Sequence, residues 1–240
     1  MRSVIIDSRM SDGCKRRLMA LGFNLLELPP CPTLPSAIAS HPDTLICRIG
    51  NELITTADYC EGAAYIFSDL REHHPSVTVT FTADELGDKY PNDCVLNALV
   101  IGSDVYLKAD SASVTLTERA RASGYNLINV KQGYAACTTL AAEGAYKFAV
   151  TADVGTAKVL REHGVKVTEI AQGSILLPPY EYGFIGGACG VFKDKIYFAG
   201  NPARHPDGEA IISAARDAGF ECITLADEPL CDVGGMIFIE

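Results

Sequence analysis

The sequence predicts an α/β chain folded as a closed ring, a five-bladed α/β propeller of ββαβ repeats, and three observations carry that reading. First, one grammar recurs along the chain. It runs as a short apolar stretch, a tight turn, a second apolar stretch ending in a small residue and Asp or Asn, an amphipathic stretch, and a third apolar stretch. Second, the endings of the second stretches (Asp7, Asp58, Asp110, Asp153 and Asn201) step by 51, 52, 43 and 48 residues, and passing through the C-terminus back to Asp7 takes 46. Third, the termini hold complementary fragments: residues 236–240 (MIFIE) make a first strand with nothing after it, and residues 2–7 (RSVIID) a second strand with nothing before it. Joined, the two fragments close the ring and remove the open edges that a sheet must otherwise protect.

Each element follows in order. The N-terminal strand leads into a helix ending at Leu21-Gly22 and a third strand at 23–28. The next unit pairs 45–50 (LICRIG) with 52–58 (ELITTAD) across Gly50-Asn51, and the third pairs 97–102 (NALVIG) with 104–110 (DVYLKAD) across Gly102-Ser103. Glycine supplies the positive φ that a two-residue hairpin needs. The fourth unit pairs 138–143 with 146–153, and the fifth pairs 189–192 with 195–201. Helices stop at Ser123-Gly124, His163-Gly164 and Ala218-Gly219, where glycine takes the left-handed cap, and at His74-Pro75 in the second unit. The expectation is one domain over 1–240, with units at 231–240 joined to 1–30, then 43–81, 94–130, 137–171 and 188–226. A doubly wound parallel sheet fits less well. Three apolar stretches separate successive helices, and neither GxGxxG nor a P-loop motif is present. The segment 183–190 (GFIGGACG) has the wrong spacing for one.

Composition narrows the function classes. With 20 basic against 30 acidic residues the net charge is −10, which opposes an electrostatic nucleic-acid binder and a polybasic membrane-surface protein. No apolar run approaches a spanning helix, so no membrane role is expected, and a cytoplasmic location is. Nine cysteines, scattered and without CxxC, suit free thiols in a reducing compartment. No ligand spacing calls for a metal, and no cofactor is implied.

The topology gathers the inter-unit loops, the first-strand starts and the helix N-termini at one mouth. There His41 and His205 fall, whereas His73, His74 and His163 belong to helix ends on the far side. Cys94, Cys137, Cys189 and Cys231 lie near first-strand entrances, Cys47 and Cys222 within strands, and Cys14 and Cys60 in helices. Mouth carboxylates abound. Asp58, Asp110 and Asp153 suit helix N-caps, while Asp43 and Asp232 sit in inter-unit loops. Tyr180, Tyr182 and Phe184 suit packing under a loop or the wall of a small-molecule pocket. The run Lys15-Arg16-Arg17 suits the solvated face of the first helix.

Five ββαβ units around a pseudo-five-fold axis resemble the pentein, or guanidino-group-modifying enzyme, fold along the whole chain. That superfamily includes arginine deiminases, dimethylarginine dimethylaminohydrolases and amidinotransferases, and the same ring serves a non-catalytic ribosome anti-association factor. The resemblance implies a cysteine-dependent hydrolase or amidinotransferase acting on a small cationic guanidino or amidino compound, with a thiolate attacking the central carbon and a histidine moving protons. His41-Pro42-Asp43 looks like the family's His-x-Asp element, and Cys231 is the thiol in the last repeat, where family enzymes keep their nucleophile. Two departures stand beside this. The family's nucleophile position falls nearer Gly234-Gly235, and the region where dimethylarginine hydrolases carry histidine reads Ala135-Ala136-Cys137. Either the constellation is rearranged around the ring, with Cys137 as nucleophile and Lys131 lowering its pKa, or the ring binds a small molecule or protein without catalysis. The candidate catalytic residues are thus Cys137, Cys231, His41 and Asp43. Candidate substrate-binding residues are Lys131, Asp153, Asp232, Gly186, Gly187 and His205.

Overall fold

The computed structural model describes residues 1–240. Chain order gives β1 (Ser3–Asp7), α1 (Asp12–Ala20) and β2 (Asn24–Leu28), then α2 (Pro42–Leu45), β3 (Ile46–Ile49), β4 (Glu52–Thr56), α3 (Ala57–Gly62), α4 (Ala64–His73) and β5 (Thr78–Thr82). The third unit holds β6 (Leu99–Ile101), β7 (Asp104–Leu107), α5 (Val114–Ala122) and β8 (Asn126–Asn129). The fourth holds α6 (Ala135–Thr138), β9 (Thr139–Glu143), β10 (Lys147–Thr151), α7 (Val154–Glu162) and β11 (Lys166–Glu169). The fifth holds β12 (Cys189–Phe192), β13 (Lys195–Phe198), a 3-10 turn at Pro202–Arg204, α8 (Gly208–Asp217) and β14 (Glu221–Thr224), and β15 (Ile237–Ile239) ends the chain.

These strands form five separate three-stranded sheets, β15-β1-β2, β3-β4-β5, β6-β7-β8, β9-β10-β11 and β12-β13-β14, not one continuous doubly wound sheet. In each, the second strand is central, antiparallel to the first and parallel to the third. The expected closure is present: Val4 of β1 lies opposite Phe238 of β15, and Ile5 opposite Leu26 of β2. Central strands are covered on both faces, so β1, β4 and β7 are buried at every position, which explains why adjacent apolar residues (Val4-Ile5-Ile6, Leu53-Ile54, Val105-Tyr106-Leu107) fill their centres. First strands neighbour one another around the axis, β6 against β9, β9 against β12 and β12 against β15. This is the pentein five-bladed architecture.

The apolar interior divides between adjacent blades. Tyr197 and Ala199 of the fifth unit pack with Val4, Leu18 and Phe238 of the first, while Ile211 of α8 packs with Phe148 and Val150 of β10 in the fourth. Each fully buried Leu, Ile or Phe contributes roughly 1.5–3 kcal/mol relative to exposure, so the ring is held by seams between units. The hairpin glycines Gly50 and Gly102 have φ of 58° and 57°, as their turns require.

Local details differ from the sequence reading. The second unit carries two helices, broken at Ala63. The side-chain caps of α3 and α5 are Thr56 and Ser113, not Asp58 and Asp110, because the hydroxyls stand where the backbone enters the helix. Asp153 does cap α7. The one-turn helices α2 and α6 ahead of β3 and β9 leave no periodic signature, since four residues span barely one turn. No helix is long and apolar enough to cross a membrane.

Candidate active site

Two of these one-turn helices place the chemistry. His41 precedes α2, with Pro42 at the first helical position, where its missing N–H costs nothing. Cys137 lies in α6, which is secured by Thr138 N–H donating to Tyr134 O at 2.9 Å. Both side chains open on one cavity of about 400 Å3, whose lining includes Thr44, Tyr134 and Asp232, with Ile38, Leu177, Tyr180, Glu181, Tyr182 and Phe184 as its wall and rim.

Cys137 is fixed from two sides. Its thiol donates to Asp43 Oδ2 at 2.7 Å and accepts from Asn97 Nδ2 at 3.1 Å. Asn97 also donates to the Asp43 carbonyl at 3.1 Å and accepts from the Ala136 backbone N–H at 2.8 Å, so one amide clamps three backbone segments around the sulfur. Burial pushes the Cys137 thiol well above its usual range, with Asp43 and Asp232 adding to the effect. Burial raises Asp43 to about 6 against the lowering hydrogen bonds from Cys137 and Thr44.

His41 stands between two carboxylates, Nε2 3.8 Å from Asp7 Oδ2 and Nδ1 3.8 Å from Asp232 Oδ1. It is 2% exposed, and burial lowers its pKa against the opposing pull of both acids, so the ring is neutral at pH 7. Asp7 is itself paired with Arg9, whose backbone N–H and Nε donate to Oδ1 at 2.7 and 3.0 Å. Asp232 accepts from the backbone N–H groups of Phe184 at 2.9 Å and Gly234 at 3.0 Å, and burial raises it to about 6.

Close backbone approach makes this packing possible. Gly234 has φ of 67°, and a Cβ there would stand 2.3 Å from His41 Cβ. A Cβ on Gly187 would stand 1.9 Å from Asp232 Oδ1. Gly186 and Gly187 thus lie behind the cavity wall, and the Gly187 N–H donates to the Cys137 carbonyl at 3.0 Å.

Of the residues expected from sequence, Cys137, His41, Asp43 and Asp232 come together here. The others do not. The Cys231 sulfur packs beside the apolar cluster of Met10, Cys14 and Val233, with burial pushing its thiol up to about 11. Lys131 is exposed in a separate cleft with Asp153 and Lys158, so no lysine sits beside Cys137 to lower its pKa. Asp153 spends its carboxylate on the Thr156 N–H at 2.6 Å and Gln132 Nε2 at 3.2 Å. His205 is buried and accepts from the Asp207 N–H at 3.0 Å, away from the cavity. Sequence reasoning missed Asn97, Thr44 and Tyr134. The repeat carries a signal for the first two: Thr44, Asn97, Cys137, Gly187 and Gly235 each stand two residues before their unit's first strand.

Comparison with known proteins agrees with the architecture. The model of a family described as a family of unknown function, DUF6873, matches residues 5–237. No curated protein matches the chain. Among solved structures, a dimethylarginine dimethylaminohydrolase adduct with S-methyl-L-thiocitrulline is 12% identical with a TM-score of 0.53, covering 94% of this chain and 92% of that one. A DDAH from Pseudomonas aeruginosa complexed with citrulline is 10% identical with a TM-score of 0.52 and the same coverage. SxtG, an amidinotransferase from Microseira wollei in the saxitoxin biosynthetic pathway, is 14% identical with a TM-score of 0.50, covering 87% of this chain and 72% of that one. At these identities the likeness speaks for the fold. The chain therefore belongs to the family of unknown function DUF6873 and has the pentein fold of the guanidino-modifying enzymes.

Proposed function

We propose that the protein is a cysteine-dependent hydrolase or amidinotransferase acting on a small guanidino or amidino compound, with Cys137 as nucleophile. The observation that carries this reading is the opening of one thiol and one neutral imidazole onto a single cavity, with Asp232 beside them and Asp43 on the sulfur. A guanidinium is planar and cationic, and carboxylates grip its N–H groups in pairs. Asp232 faces the cavity for that purpose.

The chemistry balances with the groups present. The sulfur attacks the central carbon, a C–S bond forms, and the C–N bond to the departing amine breaks. The thiol proton passes to Asp43, and the departing amine takes a proton at the cavity, where His41 is the group proposed to move it. In the second half, water or another amine displaces the sulfur and returns a proton by the same route. Because burial and flanking acids hold the thiol protonated in the free protein, the arriving cation supplies the field that favours thiolate.

That protonated thiol also favours a second reading, a ring that binds a cation in the same cavity without turnover. Steady-state assays on a panel of guanidines and amidines separate the two. The enzyme reading expects turnover abolished by Cys137→Ser and retained by Cys231→Ser. Binding without turnover, or turnover indifferent to Cys137→Ser, overturns it.

A further inference from the structure

We propose that the compound taken by this cavity carries no carboxylate: it is a guanidino or amidino group on a short apolar stem whose far end is an amine. The inference rests on the reading of Cys137 and Asp232 as the reacting end, and it concerns what the rest of the cavity accepts.

Beyond the reacting end the wall is apolar, formed by Ile38, Leu177 and Phe184. No lysine or arginine lines the cavity, and its charged groups are Asp232 inside and Glu181 at the rim. Arg9, the basic residue whose field reaches His41, is committed to Asp7 and to the carbonyls of Ser36 and Ala37. Lys131 lies in another cleft. The Tyr134 hydroxyl, a neutral donor on the lining, is already given to Asp93. A carboxylate entering here would meet two acids and find no cation. An ammonium at the same place meets Glu181 with Tyr180 and Tyr182 on either side of it in sequence, a setting that suits a cation.

The wall and the reacting end form one piece. The Phe184 N–H donates to Asp232 Oδ2 at 2.9 Å, and the Asp232 N–H donates to the Leu176 carbonyl at 2.8 Å, so the segment carrying Leu177, Glu181 and Phe184 is pinned at both ends to the residue that grips the guanidinium. Phe184 is further held edge-on to Tyr182, with ring centroids 6.1 Å apart. Selection against a carboxylate is thus built into the frame of the site. The volume, about 400 Å3, suits a compound of this size.

Isothermal titration of the full chain and of its Cys137→Ser variant with agmatine, n-butylguanidine, arginine and 4-guanidinobutyrate tests this directly. The expected result is agmatine bound at least ~100-fold more tightly than either carboxylate compound, with n-butylguanidine between them. Glu181→Gln should bring agmatine down to the level of n-butylguanidine and leave the latter unchanged. Arginine or 4-guanidinobutyrate binding within about threefold of agmatine overturns the inference. Product analysis on the same compounds separates the layers. Selective agmatine binding with no product dependent on Cys137 sustains the selectivity and overturns the chemistry, whereas binding by none of the four overturns both.

Discussion

The thiol of Cys137 donates to Asp43 Oδ2 at 2.7 Å across 94 residues of sequence, joining the entrance turn of the fourth unit to that of the second. The pairing exists because the ring brings first-strand entrances to a common axis. It makes the protonation of a buried carboxyl and that of a buried thiol one problem, and stability and reactivity both follow from it.

Stability should carry the mark of the two raised carboxyls. Asp43 and Asp232 go from 3.8 to about 6 on folding, chiefly by burial. A raised carboxyl pKa means the folded state binds the proton more tightly, so this contribution is full below about pH 4 and is lost as pH rises through 6. Asp43→Asn should therefore gain stability relative to the wild type between pH 4 and 7, by on the order of 3 kcal/mol at full ionisation. Paired thermal melts across that window check it; a difference independent of pH contradicts it.

Thiol reactivity should be ranked by burial in the free protein. Cys137, held protonated and hydrogen-bonded, should alkylate more slowly than half-exposed Cys60 at pH 7 under a neutral reagent. Peptide mapping by mass spectrometry against time gives the order. Rapid labelling of Cys137 by a neutral reagent would mean that the flanking acids do not hold its proton.

Asn97→Ala should cost on the order of 1–3 kcal/mol, because it leaves the Ala136 N–H and the Asp43 carbonyl without their partners. Its second effect separates clamp from bulk packing: the pH profile of Cys137 alkylation should move, since a donor to the sulfur that favours thiolate is lost. An unchanged profile would reduce Asn97 to a structural residue.

Gly234→Ala should destabilise by about 2 kcal/mol or more, since the new Cβ would collide with His41 at 2.3 Å and the backbone sits at φ of 67°. Chemical denaturation checks the magnitude. An Ala variant as stable as the wild type would mean that His41 can leave its place between Asp7 and Asp232.

The fold was legible because repetition is written in short-range chemistry. Apolar runs, Gly50 and Gly102 in hairpin turns, and a glycine stop after most helices recur often enough to count, and the split fifth unit follows from MIFIE and RSVIID together. The cavity was legible only in part. His41, Asp43, Cys137 and Asp232 stood out as reactive types at inter-unit loops, but nothing local distinguishes Cys137 from Cys231. That distinction depends on which way each chain segment faces: Cys231 follows the β13 side and turns toward Met10 and Cys14, while the α6 turn carries Cys137 inward. Asn97 shares with Cys137 the position two residues before a first strand, but a lone amide between apolar residues is ordinary and its role arises from contacts with residues 40 and 54 positions away. Sequence proximity puts Lys131 near Cys137, yet the reversal at α6 sends it to another cleft.

On the proposed reading, Cys137 reacts with a planar amidinium-type cation drawn in by the acids around it. The most direct measurement compares the rates at which 2-chloroacetamidine and its neutral isostere 2-chloroacetamide modify the native protein, with the site read by mass spectrometry. Labelling is expected at Cys137, at least ~100-fold faster for the cation, with the advantage reduced in Asp232→Asn. Equal rates for the two reagents, or modification of Cys231 in preference to Cys137, would contradict it.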